Sequence, residues 1–148
     1  MITGGLNNGQ WLSSAEIYNP NTNTGCLLPQ LPEGRIGHSV DNGLDCLMSS
    51  CFKWSPVSGT WTQSHTLRQN RRQHLSWATA SGVYLIGGSY SMRTSEKVKL
   101  DGSVEEGFGL KYDTRFYNLH LCNYEQSGYL LVTGMHVLSL TLTIMRLS

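Results

Sequence analysis

Short apolar runs ending in glycine pairs, set among turn residues, organise most of this chain. Val83-Tyr84-Leu85-Ile86 runs into Gly87-Gly88, Ile2-Thr3 runs into Gly4-Gly5, and Tyr129-Leu130-Leu131-Val132 runs into Thr133-Gly134. Near the end, Leu138, Leu140, Leu142 and Ile144 alternate with Ser139, Thr141 and Thr143. Period two with β-branched residues predicts a half-buried strand. Strong helix formers are scarce, so helix bundles and coiled coils are excluded. The expected class is all-β.

Between the glycine pairs lie paired strands. Glu16-Ile17-Tyr18-Asn19-Pro20 followed by Thr24-Gly25-Cys26 parallels Phe52-Lys53-Trp54-Ser55-Pro56 followed by Ser58-Gly59-Thr60-Trp61. In each, a large ring stands two residues before proline. Proline presets the φ of a turn, and glycine takes backbone conformations other residues avoid. Glu96-Lys97-Val98-Lys99-Leu100-Asp101-Gly102 fills the same slot a third time. A further mark, Arg35-Ile36-Gly37-His38 and Arg71-Arg72-Gln73-His74, opens a strand in each case, and Arg115 holds the arginine position once more, with Asn118 where histidine would stand.

These marks keep phase. From Gly4 to Gly87 is 83 residues, two intervals of about 41.5, and from Gly87 to Thr133 is 46. Four short antiparallel strands in such a unit make one blade of a β-propeller. The set resembles the kelch repeat, carried by Gly4, Gly5, Gly87 and Gly88, by the rings Tyr18, Trp54 and Trp61, and by Arg35 and Arg71. The resemblance covers residues 1 to 134, as blade parts 1–31, 35–62, 71–112 and 115–134, with 135–148 a divergent tail predicted as strand. It implies an incomplete β-propeller of four-stranded antiparallel kelch-like blades, with further repeats expected outside the chain. The glycine pair is missing near Cys46, and Leu44 to Phe52 reads as too short for a full second strand and its loop. An internal deletion in that blade is expected.

Charge changes the picture little. With 14% charged residues and a net charge of +1, there is no electrostatic footprint for nucleic acid. Ser127 to Met145 lacks Asp, Glu, Lys and Arg, yet its glycines, serines and threonines argue against a membrane helix. Met1 leads directly into a strand without a charged, then apolar, leader, so no signal peptide is expected. Cys26, Cys46, Cys51 and Cys122 allow two disulfides in three connectivities, or four reduced thiols. Cys46 and Cys51 are placed to meet across a turn. Cytoplasmic and secreted settings both stay open.

Candidate chemistry reduces to surfaces. There is no G-x-S-x-G, no H-E-x-x-H and no phosphate-binding glycine loop. His38 and His74 are repeat-equivalent, which points to structural hydrogen bonding and away from a metal. No catalysis, cofactor or metal is expected. The loops after the glycine pairs, Leu6 to Ser14 and Ser89 to Thr94, are expected to project from one rim and to meet a protein partner through Asn8, Trp11, Tyr90, Met92 and Arg93. Aromatic and arginine residues among small polar ones suit protein recognition. Arg35, Arg71 and Arg115 are expected either as an arc of positive charge that accepts carboxylates or as ties to carbonyls of the adjoining blade. What the resemblance implies for function is a protein-interaction module. The alternative is a secreted propeller of the galactose-oxidase kind that binds carbohydrate or acts as an oxidase, and a remnant without function is a third possibility.

Overall fold

The computed structural model describes residues 1–41, 43–64, 66–111 and 113, and the backbone of 118–124, 127–136 and 139–147. Every regular element among them is a strand, and every pairing is antiparallel. No helix among the described residues is long and apolar enough to cross a membrane.

Four sheets follow one another along the chain. Sheet I begins with β1 (Ile2–Thr3), whose following loop carries a small hairpin, β2 (Leu6–Asn7) and β3 (Gln10–Trp11), before β4 (Ala15–Asn19) and β5 (Thr24–Leu28) complete the order β1-β4-β5. Sheet II is the four-stranded meander β6 (Ser39–Asp41), β7 (Leu44–Leu47), β8 (Ser50–Ser55) and β9 (Thr60–Gln63). Sheet III repeats that meander with β10 (Leu75–Thr79), β11 (Gly82–Ile86), β12 (Thr94–Lys99) and β13 (Val104–Gly109). Sheet IV comprises β14 (Asn118–Tyr124), β15 (Ser127–His136) and β16 (Ser139–Leu147). The tail is therefore a strand paired along its length to β15, and it extends sheet IV well past residue 134.

The short segment from Leu44 to Phe52 overturns one expectation. Sheet II keeps its full set of four strands, because the connection between β7 and β8 is a tight turn in place of a loop. β7 turns directly into β8 with Met48 at φ 55°, and the register opposes Cys46 to Cys51. Those two form a disulfide with their Cα atoms 4.2 Å apart, a cross-strand pairing that an extended glycine loop would not have offered. Cys26 is free and exposed. The Cys122 side chain lies outside the described residues.

The core sits between sheets II and III, where Leu44, Cys46, Cys51 and Leu67 pack against Val83, Leu85 and Val98. Ile86 is fully buried and Leu85 nearly so, and each such side chain contributes roughly 2–3 kcal/mol of transfer free energy. Polar ties complete the joints. Between sheets I and II, the Thr3 hydroxyl donates to Asp45 Oδ2 at 2.7 Å and lies 2.8 Å from His38 Nε2. Since that hydroxyl hydrogen is spent on Asp45, His38 Nε2–H is the donor to Thr3. Between sheets II and III, Ser39 Oγ meets His74 Nε2 at 2.6 Å, and Asp41 Oδ2 accepts the Ala78 backbone N–H at 2.8 Å.

Gly4 explains why a glycine pair ends β1. Its φ is +62°, and a Cβ there would stand 2.5 Å from the Arg35 carbonyl oxygen and 2.7 Å from His38 Cε1. Backbone meets backbone across the joint with no room for a side chain. Tyr18 is 46% exposed, and its hydroxyl donates to Asn23 on the adjoining turn. Trp61 reaches toward sheet I, donating Nε1–H to the carbonyl of Pro29, just after β5, at 2.9 Å.

Candidate functional site

The two arginines that open sheets II and III are completely buried, so neither offers positive charge to a partner. Each turns inward onto its own sheet, at the start of the third strand, and not onto the adjoining one. Arg71 Nη1 donates to the carbonyls of Gly87 at 2.8 Å, Thr94 at 2.9 Å and Ser91 at 3.3 Å, while Nη2 donates to Thr94 Oγ1 at 2.9 Å and lies 3.5 Å from Glu96. Arg35 repeats the arrangement on Ser50, with Nη1 to its carbonyl at 3.2 Å and Nη2 to its hydroxyl at 3.0 Å. Without a glycine loop to grasp, Arg35 turns to carboxylates, Glu33 at 2.9 Å and buried Asp45 at 3.3 Å, and its guanidinium lies 4.5 Å over the Phe52 ring. Burial pulls both arginines below their ordinary pKa, and the facing carboxylates oppose that shift. Asp45 is pushed upward by desolvation, against its hydrogen bond from Thr3 and the charges of His38 and Arg35. Arg115 lies outside the described residues.

Arg71 thus acts as the hub of the loop between β11 and β12. Three carbonyls converge on one guanidinium, the Gly87 N–H bonds the Thr94 carbonyl at 2.9 Å, and the Ser91 hydroxyl donates to the Asn70 carbonyl at 2.9 Å. Wrapped around this buried cation, the loop turns Tyr90 outward at 62% exposure, leaves Arg93 exposed and half-buries Met92. Together with Gln69, Asn70 and Asp113 these residues line an open depression of about 630 Å³. Gln69 Oε1 accepts from Thr94 Oγ1 at 2.7 Å, so the floor is polar and internally bonded while the walls are ring, thioether and cation. Among the described residues the Arg93 guanidinium has no hydrogen-bond or ion-pair partner.

The second predicted loop forms a hairpin. Asn8 (φ 48°) and Gly9 (φ 79°) make its turn, and Leu6 opposes Trp11 with both side chains more than half exposed. An Asn-Gly pair is a strong hairpin signal, and it was readable in the sequence. The Arg72 guanidinium stands 5.8 Å over the Trp11 ring, and the Arg72 carbonyl accepts the Ser89 N–H at 2.8 Å. One residue therefore touches both loops.

Gln69 and Asn70 escaped sequence reasoning because they precede the Arg71–His74 mark in a stretch without a mark of its own, and Arg72 reads as part of that mark. Of the arginines in the connection between sheets II and III, Arg68 is exposed, Arg71 buried and Arg72 between. Among the described residues no group of three or more His, Cys, Asp or Glu is arranged to hold a metal ion. No protein-family model matches the chain, and no curated protein matches it.

Proposed function

We propose that the chain is a kelch-like β-propeller segment, its sheets acting as blades, and that it serves as a protein-interaction module without catalysis. The reading is carried by the convergence of Tyr90, Met92 and Arg93 on one depression, in a loop held by a buried arginine. A tied loop loses little conformational freedom on binding, and exposed Tyr, Trp and Arg supply the contact types that dominate protein interfaces. The hairpin bearing Trp11 and Asn8 extends the surface through Arg72.

The test compares wild type with Trp11→Ala and Tyr90→Ala as immobilised baits, with bound proteins mapped by cross-linking. The expected result is partner capture reduced at least about tenfold in one or both variants, with cross-links on residues 6–11 and 69–93. Undiminished capture by both variants overturns the reading. Both side chains are exposed, so folding is expected to survive either change.

A second reading, a secreted propeller that binds carbohydrate or acts as an oxidase, draws support from one observation. The Cys46–Cys51 disulfide lies fully buried in the core, and such bonds form and persist in oxidising compartments. Thiol titration of the denatured, unreduced protein separates the settings: if all four cysteines react, the secreted reading falls.

A further inference from the structure

Around the loop from Gly87 to Thr94, hydrogen-bond donors stand unmet while neighbouring acceptors are spent. Arg35 and Arg71 are buried against carboxylates, and Arg68 lies in the field of Glu105. Arg72 and Arg93 differ, because among the described residues neither guanidinium has a hydrogen-bond or ion-pair partner. Arg72 Nε–H is buried without an acceptor, and a Cβ on Gly37 would stand 3.0 Å from it. The Nη groups of Arg72 are not buried and are equally unmet. Its guanidinium lies 5.8 Å over the Trp11 ring, and stacking of this kind fixes the plane of a fork that fits a carboxylate. The next residue adds donors. Gln73 is exposed and left-handed (φ 56°), an uncommon conformation away from glycine. Its amide oxygen accepts from Ser89 Oγ at 3.1 Å, which leaves its two N–H bonds to a ligand. The Arg72 carbonyl holds the Ser89 N–H at 2.8 Å, so these donors sit at the start of the loop. At its far end stands exposed Arg93, lining the depression with Gln69, whose amide oxygen is spent on Thr94 Oγ1 at 2.7 Å. Asp113, also in the lining, is already engaged.

A surface of unmet donors is complemented by a group that only accepts, and among protein side chains that group is a carboxylate. We propose that the partner presents an acidic segment here, with one carboxylate on Arg72 and Gln73, a second on Arg93, and an apolar residue against Tyr90 and Met92. The carboxylate-accepting role that burial denies to Arg71 passes to the residue after it. The inference rests on the protein-interaction reading and adds to it the chemistry of the partner.

The test selects a phage-displayed library of random peptides, about twelve residues long, on the immobilised chain, and measures the recovered sequences as synthetic peptides by fluorescence anisotropy. Recovered peptides are expected to carry two or more Asp or Glu. Changing these to Asn or Gln is expected to raise the dissociation constant at least about tenfold, as are Arg72→Gln and Arg93→Gln in the protein. Arg93→Glu is expected to reverse the preference, binding the lysine counterpart of the peptide more tightly than wild type does. Arg93 is exposed and unpartnered, so its variants are expected to keep their fold, which near-UV circular dichroism checks. Peptides without acidic residues that are lost in Trp11→Ala or Tyr90→Ala overturn the inference and leave the interaction reading standing. Acidic peptides indifferent to both arginines overturn it as well. A preference of at least about tenfold for phosphoserine in place of glutamate overturns it in favour of a phosphorylated partner. No recovered peptide, or only peptides indifferent to Trp11, Tyr90, Arg72 and Arg93 alike, counts against the inference and the reading together.

Discussion

Acid should loosen this protein chiefly through one histidine. His74 is 6% exposed and bonded to Ser39, and desolvation first, then the charges of Arg71 and His38, lower its pKa from 6.5 to about 3. Between those values the unfolded chain binds a proton that the folded chain refuses. The stability contributed by neutral His74 is therefore complete above pH 6.5 and is lost as pH falls toward 3. At about 1.4 kcal/mol per pH unit, the full loss is on the order of 5 kcal/mol, of which roughly 3 kcal/mol falls between pH 7 and pH 4. Asp45 works the other way, since its raised pKa lets the folded state take up a proton before the unfolded one does. Wild type alone would mix the two, so the perturbation is His74→Gln, which keeps a polar group for Ser39 and cannot charge. Urea unfolding at pH 7 and pH 4, followed by tryptophan fluorescence, gives each protein's loss on acidification. Wild type is expected to lose about 3 kcal/mol more than the variant. If the two lose the same amount, His74 is not held neutral by burial, and the tight joint between sheets II and III is wrong.

Two other outcomes follow from the same interior. Arg71→Leu leaves the Gly87 carbonyl without its guanidinium donor, takes a shared donor from the Ser91 and Thr94 carbonyls and removes the charge facing buried Glu96, and is expected to cost about 3–5 kcal/mol in urea unfolding. The milder variant Thr94→Val removes the hydroxyl that accepts from Arg71 Nη2 and donates to Gln69, and should cost about 1–2 kcal/mol, with faster hydrogen exchange at Gly87, whose N–H bonds the Thr94 carbonyl. Equal stability of Arg71→Leu and wild type would refute the hub role.

The legible part of this protein is whatever depends on near neighbours in the chain. Alternation, proline and glycine turns and the glycine pairs are set by local backbone chemistry, and they were enough to place β4 with β5, β8 with β9 and β12 with β13 as hairpins, and to predict the tail as strand. That Tyr90, Met92 and Arg93 lie in a loop was legible for the same reason, since they directly follow a glycine pair. Tertiary structure alone decided the fate of the arginines. Their spacing permits a charged arc or a buried tie equally, and only the folding of loop 87–93 over the Arg71 guanidinium supplies the carbonyls that make burial affordable. It also decided which cysteines join. With β7 turning tightly into β8, register puts Cys46 opposite Cys51, and register belongs to paired strands, not to one strand read alone. The donor surface around Arg72, Gln73 and Arg93 likewise needed coordinates, because which donors are unmet and which acceptors are spent is decided only when the loop after Gly88 folds against them.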